Sequence, residues 1–122
     1  MQSDPFAERL AKVRRRFAST LAGKIDASIA ALPKLSCAEA ASVALVADAY
    51  QEMHRICGVA PTVGFTATGK AARGTEDVLI AAFRGKRALS GEEAGRLQEA
   101  LARLKAAASD ELLHIDGGGA DA

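Results

Sequence analysis

The stretch LVADAYQEMHRICGVAPTVG, residues 45–64, decides how the rest of the chain is read. Leu45, Val46, Ala49, Met53, Ile56, Ala60 and Val63 recur every three or four positions, the signature of a helix with one buried face. Upstream, Ser36 and Glu39 stand at capping-box spacing and predict the start of this helix. Gly64 is the predicted stop. Pro61 removes a backbone donor and crowds the preceding turn, which predicts a kink or early fraying there.

The same punctuation recurs on both sides. Asp4 and Pro5 supply an N-cap and a first-turn proline, after which Phe6, Leu10, Val13, Phe17, Leu21, Ile25, Ile29 and Leu32 follow a helical period up to Pro33. Gly23 and the Ser19-Thr20 pair leave open whether this is one helix or two. A third helix is predicted from Thr66 or Thr68 to Phe83, with Ala71, Ala72, Thr75, Val78, Leu79 and Ala82 inward and Gly85 as its stop. Ser90 and Glu93 form a second capping box ahead of Leu97, Leu101, Leu104 and Ala108. Each apolar stripe must be covered by another helix. The expected fold is therefore all-α, an antiparallel four-helix bundle with an additional N-terminal helix or helical extension. Residues 1–16 read as the extension, 17–115 as the bundle and 116–122 as a disordered tail with nothing to bury.

Composition agrees with one helical domain. The chain of 122 residues has room for a single core, and its apolar content is rich in alanine and poor in aromatics, with four Phe, one Tyr and no Trp. Sixteen basic and fifteen acidic residues nearly balance, which argues against a dedicated nucleic-acid binder. No apolar run is long enough for a membrane span, and Met1-Gln2-Ser3-Asp4-Pro5 lacks the features of a signal peptide. Cys37 and Cys57 are read as free thiols, and the expected location is the cytoplasm.

One residue stands out from this plan. His54 is rotated ~100° from the core-facing Met53, and its neighbours one turn away are Tyr50 and Gly58. A glycine inside a helix costs roughly 1 kcal/mol relative to alanine. Two readings of Gly58 stay open: it clears space for a partner beside the imidazole, or it relieves crowding against another helix.

The stretch from His54 to Phe65 resembles the signature of histidine phosphotransfer (HPt) domains. That signature has a histidine, an apolar residue two positions on (Ile56), glycine at four (Gly58), small residues, then an apolar-glycine pair (Val63-Gly64). Ala71-Ala72-Arg73-Gly74-Thr75-Glu76-Asp77 is similar to the family's small-residue helix, and Ser90-Gly91-Glu92-Glu93 with the leucine-spaced last helix resembles its ending. The likeness covers about residues 17 to 108.

The resemblance implies a phosphorelay intermediate, a phospho-carrier and not an enzyme in its own right. Nε2 of His54 would take a phosphoryl group from an aspartate of a response-regulator receiver domain and return it to another. Glu76 sits at the position of the family's acid or amide that orients the imidazole, in preference to Asp77. Gly58 would give steric access. Many members carry lysine three residues after the histidine; here that position is Cys57, and Lys70 or Arg73 are the candidates to meet the phosphoryl oxygens instead. Tyr50, Arg55, Cys57, Val59 and Pro61 are candidate docking residues. The implied partners are receiver domains and a sensor or hybrid histidine kinase, with no nucleic acid or membrane, and the chain is expected to be a monomer. It is expected to bind no cofactor or metal, the Mg²⁺ of the reaction belonging to the receiver. The competing readings are a helical adaptor that docks partners without histidine chemistry and a dimeric helical scaffold. The run Arg14-Arg15-Arg16 is read as a solvated face, and His114 as a residue without function.

Overall fold

A computed structural model describes residues 4–37 and 39–121, with the side chains from residue 115 onward outside the description. Four helices follow in order: α1 (Pro5–Leu35), α2 (Ala40–Val59), α3 (Thr66–Arg84) and α4 (Gly91–Asp121), with a 3₁₀ turn at Ala60–Val63 between α2 and α3. No strand occurs among the described residues. Short connections force neighbours to run antiparallel, and the apolar stripes close one core. Leu21 and Ile25 from α1, Met53 and Ile56 from α2, Leu79 from α3 and Leu97 and Leu104 from α4 are fully buried in it.

α1 begins as predicted, with Asp4 accepting from the backbone N–H of Phe6 at 2.9 Å and Pro5 in the first turn. It is one unbroken helix through Gly23, so residues 5–16 form an extension of α1 and not a separate element. The helix also passes Pro33 and ends at the buried Leu35. Two distant donors account for those extra residues: Ser42 Oγ donates to Lys34 O at 2.6 Å and Leu89 N to Leu35 O at 2.9 Å. They satisfy carbonyls that a helix end leaves open. The predicted Ser36–Glu39 box does not form. Ser36 closes α1, while Glu39 is the N-cap of α2 without a side-chain bond.

The α2–α3 junction behaves as Pro61 and Gly64 require. α2 tightens into 3₁₀ geometry where Pro61 removes a donor, and Gly64 takes the left-handed φ of 91° that ends the turn. Phe65 is buried and meets Phe17 of α1 edge-on at 5.1 Å. Gly69 is the contact the sequence reading missed. A Cβ there would stand 2.9 Å from Pro61 Cγ, so only glycine lets α3 start this close to the turn. Arg14 also departs from its expected solvated role, donating from Nε to Val63 O at 2.9 Å and tying α1 to the same turn.

α3 has no local cap; Glu111 of α4 supplies one. Its carboxylate accepts from Ala67 N (3.1 Å), Thr68 N (2.7 Å) and Thr68 Oγ1 (2.6 Å). Thr68 is fully buried, so Glu111→Ala strands donors away from water. The expected loss is about 1–3 kcal/mol of unfolding free energy, measured by urea denaturation. Glu111→Gln, which keeps one acceptor oxygen, is expected to lose less.

At the other end Gly85 stops α3, although the left-handed residue there is Lys86 at φ 52°. The second capping box forms as predicted, with Ser90 N donating to Glu93 Oε1 at 2.9 Å and Glu93 N to Ser90 Oγ at 3.1 Å. Arg87 adds a two-pronged bond to Glu93 at 2.7 and 3.0 Å. These bonds, Arg87's first, hold the Glu93 carboxyl down to about 2 from an ordinary 4.5. A carboxyl depressed in the folded state contributes stability that is fully present above its unfolded value and is lost as pH falls through its folded value. Wild-type urea midpoints are therefore expected to fall between about pH 4.5 and about pH 2. Glu93→Gln should flatten that slope; equal slopes would remove Glu93 from the acid response.

Where the sequence reading puts a disordered tail at 116–122, α4 stays helical as far as Asp121. Ala122 lies outside the described residues.

Candidate functional site

His54 lies on α2 between the buried Met53 and Ile56, on the face turned away from the core. Its side chain is 70% exposed, and Nδ1 lies 3.1 Å from Oε1 of Glu76 on α3. A carboxylate can only accept, so in the neutral ring the proton sits on Nδ1 and the lone pair on Nε2. Glu76 itself is mostly covered, at 14% exposure. A carboxylate anchored against the bundle thus orients a ring that stands in solvent. Asp77, the next residue along α3, is exposed.

Gly58 is exposed on α2. A Cβ built there meets nothing within 4 Å, so no neighbouring helix needs the glycine. The space one turn from the imidazole is open to the outside.

The other candidates are distributed around this centre. Lys70 and Arg73 are exposed on α3, ahead of Glu76, and make no ion pair or side-chain hydrogen bond among the described residues. Arg55 is exposed and pairs with Glu52 at 3.4 Å, while Glu52 also faces Lys24 of α1 at 3.7 Å. Cys57 is a half-buried free thiol. Val59 is half-buried, and the exposed Pro61 lies over Gly69. Tyr50 is half-buried and stacks on His54, with ring centroids 6.1 Å apart and planes 12° from parallel. Among the described residues no group of three or more His, Cys, Asp or Glu is placed to hold a metal ion.

Sequence reasoning missed a groove of about 190 Å³ between α1 and α2. Val13, Phe17, Ile56 and Val59 give it an apolar floor, and Arg16, Lys24 and Arg55 contribute positive charge. Its signal was available in the sequence: Val13, Thr20 and Lys24 fall on one stripe of α1 beside Arg16.

An exposed imidazole, tied through its inner nitrogen to an acid on the next helix and left bare on one side, defines a histidine-presenting four-helix bundle. The Hpt domain model matches residues 10–107, and the chain belongs to that family. No curated protein and no solved structure matches it. Hpt domains are phospho-carriers that serve histidine phosphotransfer in phosphorelays, interacting with receiver domains and kinases. No described helix is long and apolar enough to cross a membrane.

Proposed function

We propose that His54 carries the phosphoryl group and exchanges it with aspartates of response-regulator receiver domains. The observation that carries this reading is the His54–Glu76 pair: an imidazole 70% exposed with its Nδ1 held at 3.1 Å by a covered carboxylate. In the forward step the Nε2 lone pair attacks phosphorus of the receiver's aspartyl phosphate. The bond from phosphorus to the aspartyl oxygen breaks, and the aspartate leaves as a carboxylate. The Nδ1 proton stays on the ring, where Glu76 faces the positive charge that develops. The return step reverses each event onto a second receiver.

Mg²⁺ is assigned to the receiver. The acid nearest the imidazole is already engaged by Nδ1, and among the described residues no group of three or more His, Cys, Asp or Glu gathers there to receive a cation. Lys70 and Arg73, exposed on the helix that carries Glu76, are the cations available to phosphoryl oxygens, since Cys57 offers no charge. The receiver docks across α2 beside Gly58, with Arg55, Cys57 and Val59 in reach and the α1–α2 groove accepting an apolar ridge flanked by carboxylates. A sensor or hybrid kinase feeds the relay, the exchange takes place in the cytoplasm, and a closed core of this kind needs no second copy.

The test is incubation of the protein with a phosphorylated receiver domain and Mg²⁺. Acid-labile, base-stable phosphate on this chain is the expected result. Binding without transfer would favour an adaptor, and neither binding nor transfer would leave only a helical scaffold.

A further inference from the structure

Three aromatic rings follow one another at the edge of the bundle. Phe83 of α3 and Tyr50 of α2 stack with centroids 4.1 Å apart and planes 11° from parallel. Tyr50 in turn lies 12° from parallel to the His54 imidazole at 6.1 Å. Both distances fall at or near the range of offset-stacked pairs. Tyr50 and Phe83 are half-buried and packed against the core, whereas His54 is exposed. The stack therefore couples a free-standing ring to two anchored ones.

A single hydrogen bond leaves the imidazole loosely defined. The Nδ1–Glu76 contact pins one atom, yet the ring can still swing about that contact, because the last torsion of a histidine side chain has broad minima. A flat neighbour lying parallel to the ring removes that swing. Glu76 and Phe83 are seven residues apart on α3, two turns along nearly the same face. One face of α3 thus supplies the hydrogen-bond restraint directly and the planar restraint through Tyr50. Together they fix the direction of Nε2, the atom opposite the anchored side of the ring. In-line transfer depends on that direction, and a misplacement of about 1 Å can cost a factor of roughly 100.

We infer that Tyr50, backed by Phe83, is a positioning residue that holds the plane of the His54 imidazole for transfer. This rests on the carrier reading of His54. No hydrogen bond of the Tyr50 hydroxyl occurs among the described residues, so the ring and not the hydroxyl does the holding. Tyr50→Phe is then the conservative variant and Tyr50→Leu the disruptive one, with Phe83→Leu acting at one remove.

Two readouts on the folded protein test this, with the amide NMR spectrum checking the fold of each variant. The first is carbon relaxation at Cδ2 of the His54 ring, which needs no phosphate. Tyr50→Leu is expected to loosen the ring, Phe83→Leu to loosen it less, and Tyr50→Phe to leave it as in the parent. The second is the rate of transfer from a phosphorylated receiver, expected to drop about ten-fold in Tyr50→Leu and to stay within about two-fold in Tyr50→Phe. Unchanged ring order in Tyr50→Leu overturns the inference, as does a looser ring that transfers at the parental rate. Equal losses in the Phe and Leu variants would move the role to the hydroxyl and overturn it too. If the parent takes no phosphoryl group, the carrier reading fails and the positioning role with it, while ring relaxation still reports whether the stack exists.

Discussion

His54→Gln is expected to accept no phosphoryl group from a phosphorylated receiver while folding as the parent does. The side chain is 70% exposed, and its bond to Glu76 is the one side-chain hydrogen bond it makes among the described residues. Substitutions at such surface positions usually change stability by about 0.5 kcal/mol or less. Loss of transfer therefore reports lost chemistry. The chain carries its own control in His114, its other histidine. Nδ1 of His114 donates to Asp110 O at 2.8 Å, and that bond together with the Asp110 charge raises the pKa of the ring. His114 is exposed on α4, a helix that makes no contact with α2 among the described residues, so His114→Gln is expected to transfer at the parental rate. Phosphate retained by His54→Gln, detected by gel retardation or intact mass, would remove His54 from the centre of the reaction.

What the sequence disclosed about the fold follows from how far each interaction reaches along the chain. The Asp4-Pro5 start and the Ser90–Glu93 box are made by residues within one helical turn, so their spacing is enough to place two helix beginnings. The helix ends that local spacing did not settle are decided by distant partners. Ser42 and Leu89 hold α1 open past Pro33, and Glu111 caps α3 from 43 residues away. No local pattern announces such bonds. They arise only after the helices have packed in register.

The site divides in the same way. The unusual place of His54 showed in the helical period, and the neighbouring glycine marked it. Its pairing with Glu76 spans 22 residues and came from likeness to a family, because the register of α2 against α3 cannot be derived from either helix alone. The same register brings Phe83 onto Tyr50, a contact that neither residue advertises. Gly69 and Gly58 make the contrast sharpest. Both are glycines inside helices, yet a Cβ at 69 runs into Pro61 whereas one at 58 meets nothing. Spacing treats them alike; only the surroundings tell a structural glycine from one left bare.

That difference allows stability and function to be separated at position 58. Gly58→Ala is expected to stabilise the protein by up to about 1 kcal/mol, since α2 gains a better helix former and the new methyl group touches no neighbour. Gly58→Phe places its Cβ in the same open space, but its ring would stand one turn from His54 on the face proposed to meet the receiver. Transfer from a phosphorylated receiver should then fall by on the order of 100-fold, the scale expected when a reacting pair is held off its working distance. Phosphoramidate, a donor small enough to reach Nε2 without docking, should phosphorylate Gly58→Phe and the parent at similar rates. Urea denaturation, receiver transfer and phosphoramidate labelling of the three proteins give the comparison. If Gly58→Phe received phosphate from the receiver as fast as the parent, the open space would have no bearing on docking. An equal loss with both donors would trace the defect to the imidazole itself and not to the approach of a partner.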